Sequence, residues 1–120
     1  MHSIGEMTDD QLAIKDAVEK TCSQFGEDYW AKTDETGDWP EAFCDAMAAG
    51  GWLGVAFPEE YGGAGLGLTE AALVMQAVTR SGAGYSGASA IHLNIFGPKP
   101  LEKFGNAEQK QENLPKIISG

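Results

Sequence analysis

Pro58-Glu59-Glu60-Tyr61-Gly62-Gly63-Ala64-Gly65-Leu66-Gly67 sets four glycines within six positions at mid-chain, directly after the apolar run Trp52-Leu53-Gly54-Val55-Ala56-Phe57. Such a density of glycine demands a tight backbone path, because glycine alone visits positive φ freely. A glycine-rich loop ahead of a helix invites a phosphate-binding reading. The residues do not sustain it. In Gly65-Leu66-Gly67-Leu68-Thr69-Glu70 a glutamate stands where the dinucleotide fingerprint needs its third glycine. No Lys or Arg lies between Lys32 and Arg80, so no lysine is at hand to meet a phosphate. The stretch reads as a turn-rich connector between two helices.

The segments on either side are helical in pattern. Thr8-Asp9-Asp10-Gln11 is a capping box with acids in the first turn. Ile14, Val18, Cys22, Phe25 and Tyr29 follow at helical spacing, which predicts a first helix to about Ala31. Residues 33–37 are polar and loop-like. Asp38 as N-cap and Pro40 in the first turn predict a second helix, with Phe43 and Met47 on one face and Gly50-Gly51 at its end. Thr69-Glu70 opens a third, striped by Leu73, Val74, Ala77 and Val78 and stopped by Gly82. A fourth spans roughly 86–96. Pro98 and Pro100 break the chain, Pro100 opening a short turn toward Phe104. Asn106 caps a last helix toward Ile118, in which Pro115 predicts a kink or an early end. The expected fold is all-α, a bundle of about five or six helices with no sheet domain. The expected domain covers residues 7–120, after a flexible N-terminal segment, residues 1–6.

The 120 residues, 42% of them hydrophobic, suffice for one domain with its own core. No apolar run approaches membrane-spanning length, and no basic segment followed by an apolar one marks a leader, so the expectation is a soluble, cytoplasmic chain. Cys22 and Cys44 are too few for a disulfide framework or a zinc site, and read as reduced core thiols; no metal is expected. Residues 1–60 carry fourteen acids and three bases, residues 61–120 four acids and five bases. The acidic half would repel a phosphate backbone, so nucleic acid is not an expected partner. A solvated acidic face accounts for the charge.

Few side chains invite catalysis, and no catalytic residue is assigned. Glu59 and Glu60 are loop neighbours that point apart, while Asp9, Asp10, Glu41 and Glu70 are accounted for by helix starts. A Cys–His pair would need Cys22 or Cys44 brought to His92 in space. His92 is the more informative position. Ala88, Ser89, His92, Leu93 and Phe96 fall at offsets 0, 1, 4, 5 and 8, one continuous helical stripe. Mostly apolar with two polar handles, it suits the wall of a binding pocket; it equally suits a helix face packed in the core with His92 satisfied by a neighbour. Trp30, Trp39 and Trp52 read as core or interface anchors.

Four segments together resemble the N-terminal helical domain of the acyl-CoA dehydrogenase family, from Met7 to Gly120. They are Met7-Thr8-Asp9-Asp10-Gln11; the Trp-Pro helix start with its exit Ala49-Gly50-Gly51-Trp52-Leu53-Gly54-Val55; the stretch Pro58 to Gly67; and Lys103-Phe104-Gly105-Asn106-Ala107-Glu108-Gln109-Lys110-Gln111 running into Leu114-Pro115-Lys116-Ile117. The order and spacing carry the specificity. The resemblance implies an oxidoreductase that converts an acyl-CoA thioester to its trans-2-enoyl product with FAD, in fatty acid metabolism. It implies electron-transferring flavoprotein or a similar acceptor as partner, and a homo-oligomer. It also implies that the catalytic glutamate and most of the flavin site lie outside this domain, so the cofactor-binding residues are unknown and the chain alone is expected to be silent. What carries over is a substrate-binding wall: Ala88, Ser89, His92, Leu93 and Phe96. The competing expectation is a stand-alone, non-catalytic helical module that binds a partner or an acyl ligand.

Overall fold

A computed structural model describes residues 5–120; residues 1–4 of the expected N-terminal segment lie outside them. α1 (Asp9–Cys22) starts as the capping box predicts. Thr8 Oγ1 accepts from the Gln11 N–H at 3.2 Å, and Gln11 Oε1 accepts from the Thr8 N–H at 3.0 Å. The helix does not reach Ala31. It ends at Ser23, whose hydroxyl donates to the Lys20 carbonyl at 2.6 Å, and the chain re-enters helix as α2 (Glu27–Thr36) from the extended Gly26. The break brings Phe25 and Trp30 edge-on to Phe43, at 5.6 and 4.9 Å between ring centres. Aromatic packing thus outweighs helix continuity. Residues 33–36, expected as loop, belong to α2.

α3 (Glu41–Ala49) is not capped by Asp38. Pro40 holds the N-cap position, with φ −77° and ψ 64°, and the Glu41 N–H donates to the Trp39 carbonyl at 2.8 Å. This is an inverse γ-turn. The first turn of α3 draws a partner from α2 instead, since the Phe43 N–H donates to the Tyr29 hydroxyl at 3.3 Å. Short 3-10 turns follow at Trp52–Gly54 and Glu59–Tyr61, then α4 (Leu68–Val78). A π turn, Thr79–Ala83, joins α4 to α5 (Gly84–Ile95). α6 (Lys99–Phe104) and α7 (Ala107–Ser119) complete the chain. α7 runs through Pro115 without ending there. The proline forfeits only the bond to the carbonyl of Gln111, an exposed residue.

The architecture is all-α as expected, with no strand among the described residues. The extra helix comes from the split of the first. α1 lies along α4, α4 packs on α5, and α5 and α7 both meet the turn at Trp52–Gly54. The molecule is a slab of 44 × 43 × 19 Å. Since one helix with its side chains is about 10 Å across, 19 Å is two helix layers. A slab buries less of each helix than a sphere would, so the layout leaves outer faces uncovered. Val18, Phe43, Met47, Val74, Val78, Ile91 and Ile95 are sealed in the main core. Phe57, Leu114 and Ile118 form a second, smaller one beneath α6 and α7. Trp30 is buried and Trp52 packs against the core, whereas the Trp39 indole is 61% exposed. Cys22 is buried and Cys44 half-buried, both free, and burial pushes both thiols up, which keeps them protonated and unreactive near neutrality. Among the described residues no helix is long and apolar enough to cross a membrane.

Candidate functional site

The glycine loop is closed to ligands by its own hydrogen bonds. The N–H groups of Gly63, Ala64, Gly65 and Leu66 donate to the carbonyls of Pro58, Gly54, Phe57 and Val55, at 2.8 to 3.1 Å. Gly62 and Gly65 take positive φ, 94° and 69°, to turn the chain back over this segment. A Cβ on Gly63 would stand 2.1 Å from the Phe57 carbonyl oxygen, so only glycine admits the approach. Those four donors are engaged and cannot also cradle a phosphate.

α5 carries the more open face. Its inner side is set by Gly87, where a Cβ would meet Ala83 at 2.5 Å and Trp30 at 3.3 Å. Gly87, Ala90, Ile91 and Ile95 are buried along that side. Ser89, His92 and Leu93 lie opposite and are exposed, Leu93 at 68%, while Ala88 and Phe96 are half-buried at the margins. The core-face alternative for this stripe therefore fails, and its five residues share one outward surface. The His92 and Phe96 rings lie one turn apart, 5.5 Å between centres and tilted by 39°. Phe96 also packs against the main core, which fixes the end of the surface. α5 is tied to α7 by Asn94 Nδ2, which donates to the Ile117 carbonyl at 3.1 Å. Such a surface offers aliphatic and aromatic contact from Leu93 and Phe96, a hydroxyl from Ser89 and an imidazole from His92. Apolar contact beside a few polar groups is the general make-up of small-molecule sites.

Ser89 also lines a groove of about 310 Å³ between α5 and the link from α2 to α3. Trp39, Tyr85, Ser86, Asp34 and Asp38 are among its walls. Sequence reasoning placed Trp39 as an anchor and passed over Tyr85. The signal on offer was the proline after Trp39, which disfavours helix at the preceding residue; Leu114, helical and buried before Pro115, shows that this bias alone does not decide exposure. The carboxylates do not compete as a site. Glu70 is held below the ordinary carboxylate range, first by the hydrogen bond from Gln11 Nε2 (3.0 Å) and then by backbone N–H groups including that of Gly67. It is thereby committed to capping α4.

The family model for the acyl-CoA dehydrogenase N-terminal domain matches residues 8–120. A probable acyl-CoA dehydrogenase of Bacillus subtilis, YngJ, is 33% identical over 117 residues, covering 96% of this chain and 30% of that protein. Benzylmalonyl-CoA dehydrogenase of Aromatoleum aromaticum is 33% identical over 103 residues, 86% of this chain and 27% of its own length. Mitochondrial isovaleryl-CoA dehydrogenase of Solanum tuberosum is 32% identical over 114 residues, 93% of this chain and 27% of its own. The chain thus spans less than a third of the length of these relatives. No solved structure matches the chain at a significant level.

Proposed function

The chain belongs to the acyl-CoA dehydrogenase family, as an N-terminal domain, and on that premise we propose that it supplies one wall of the acyl pocket of an FAD-dependent enzyme that dehydrogenates an acyl-CoA thioester between its α and β carbons. The observation that carries this reading is the outer face of α5. Ser89, His92 and Leu93 are exposed and Ala88 and Phe96 half-buried at the margins, and Leu93 is left 68% exposed on a helix whose other side is tightly packed. An acyl chain laid along that face would cover Leu93 and Phe96, at about 25 cal/mol for each Å² of apolar surface removed from water.

The relatives' names support a thioester as the common substrate and vary in the acyl group, benzylmalonyl in one and isovaleryl in another. The glycine loop does not offer a cradle for the flavin diphosphate, because the N–H groups of Gly63, Ala64, Gly65 and Leu66 already have partners. Its part in the reaction is therefore to bind, shape and shield the acyl group. The flavin, the base and the subunit contacts belong to the remaining length of such an enzyme. The same reading takes electron-transferring flavoprotein or a similar acceptor as electron partner, a homo-oligomeric assembly and a cytoplasmic setting.

The test is purification of the complete gene product, with its flavin spectrum and acyl-CoA-dependent reduction of a dye acceptor. Phe96→Ala and Leu93→Ala are expected to change KM for a medium-chain thioester several-fold. A folded product that carries no flavin and reduces no acceptor with any acyl-CoA would count against the enzyme and favour a non-catalytic helical module. Unmoved KM values in an active enzyme would count against the pocket wall alone. The 120-residue chain by itself is expected to show no turnover.

A further inference from the structure

The groove beside Ser89 continues the α5 surface, and its lining is of a different kind. Along α5 from Phe96 to Ser89 runs about 10 Å of apolar helix with an imidazole at one turn. Beyond Ser89 the walls become aromatic and hydroxylated. Trp39 and Tyr85 are 61% and 86% exposed, and both line the groove, one from the α2–α3 link and one from the first turn of α5. Of the other two tryptophans, Trp30 is buried and Trp52 half-buried. The inverse γ-turn at Pro40 is what holds Trp39 outward. Ser86 and Ser89 add hydroxyls, and Asp34 and Asp38 add carboxylates at the same rim. Lys32, on the same helix as Asp34, lines a neighbouring groove on another side of Trp39. The volume, about 310 Å³, is at the lower end of small-molecule sites and has room for a ring.

We propose that this groove is the distal end of the acyl site and takes a neutral, ring-bearing acyl terminus, which stacks between Trp39 and Tyr85 and hydrogen-bonds to Ser86, Ser89 or the two aspartates. The inference rests on the reading of α5 as a pocket wall; Ser89, shared by the α5 face and the groove, is the link between them. Charge decides against an anionic terminus. A carboxylate entering here would meet Asp34 and Asp38, and like charges brought together in a partly desolvated site repel.

The complete gene product is assayed with three acyl-CoA thioesters of equal chain length: straight-chain, phenyl-terminated and carboxyl-terminated. The expected order of kcat/KM is phenyl-terminated, straight-chain, carboxyl-terminated, with about tenfold or more between the first and the last. Trp39→Ala is expected to lower the ratio of phenyl-terminated to straight-chain kcat/KM about tenfold, the scale of one lost aromatic contact. The double variant Asp34→Lys/Asp38→Lys, at two exposed positions, is expected to raise the carboxyl-terminated rate relative to the straight-chain one. A wild type that prefers the carboxyl-terminated thioester, or ratios that neither variant moves, overturns the groove. If Leu93→Ala and Phe96→Ala also leave every KM unchanged, the α5 wall falls with it. If those two move KM while the Trp39 and aspartate ratios stay fixed, the wall stands and the groove alone is refuted.

Discussion

Lys99 Nζ donates a hydrogen bond to the carbonyl oxygen of Ala56, at 2.9 Å across 43 residues. The same ammonium pairs with the Glu102 carboxylate and lies 4.9 Å from the centre of the Phe57 ring. One side chain at the start of α6 therefore ties the second core to the segment that enters the glycine loop. Lys99→Met is expected to destabilise the isolated chain by about 2 kcal/mol, because it leaves a buried residue's carbonyl and a half-buried carboxylate without a partner. Adding Glu102→Leu should recover part of that loss, since the stranded charge goes with it. Urea midpoints of the two variants decide the point.

Glu70 Oε1 accepts from Gln11 Nε2 and Oε2 accepts from the Gly67 N–H, both at 3.0 Å, so the caps of α1 and α4 are joined through one carboxylate. Its folded pKa lies below its unfolded value. In the acid range the unfolded chain then binds more protons than the folded one, and stability rises with pH there. The contribution is fully present above the unfolded value of about 4.3 and is lost as pH falls through the folded value. Glu70→Gln should flatten the fall of the urea midpoint on acidification. An unchanged slope would show that the carboxylate is not coupled to folding.

The two sides of α5 should respond unequally to truncation. Ile91 is 1% exposed and Leu93 68%. Ile91→Ala is expected to cost about 2–4 kcal/mol through the cavity it leaves, and Leu93→Ser no more than about 0.5 kcal/mol in the isolated chain. Thermal unfolding of both variants tests which face is core. A large loss for Leu93→Ser would reverse the assignment.

Gly63→Ala tests the loop. The added methyl would lie 2.1 Å from the Phe57 oxygen and 2.8 Å from the Gly54 oxygen, both backbone atoms with little freedom to yield. A loss of about 2 kcal/mol or more is expected, in the class of backbone clashes. Wild-type stability would mean that the loop does not pack on this segment.

Most of the fold was legible because its signals were local. Thr8 and Asn106 cap the helices the sequence gives them, with Gln11 and Gln109 closing both boxes. The misses share a cause. α1 stops at Ser23 because rings at Phe25 and Trp30 find Phe43, and α3 is capped by Tyr29 from another helix. These are tertiary contacts, which no window of neighbouring residues contains. For the site, helical spacing put Ala88, Ser89, His92, Leu93 and Phe96 on one face, but spacing is blind to which way a face points. Only the packing of Gly87 on Ala83 and Trp30 turns it outward. The other wall, Trp39, lies fifty residues before Ser89 in sequence, and the groove they both line exists only in three dimensions.

The glycine loop has no strand geometry, yet four successive amides, from Gly63 to Leu66, are held by carbonyls between Val55's turn and Pro58. In deuterated solvent these amides should exchange slowly, in step with the buried Val55–Phe57 segment and far behind the other exposed turns. A protease that prefers flexible glycine tracts would likewise find little purchase there. The stretch richest in glycine would then be among the last parts of the chain to open, a clasp whose release reports global unfolding.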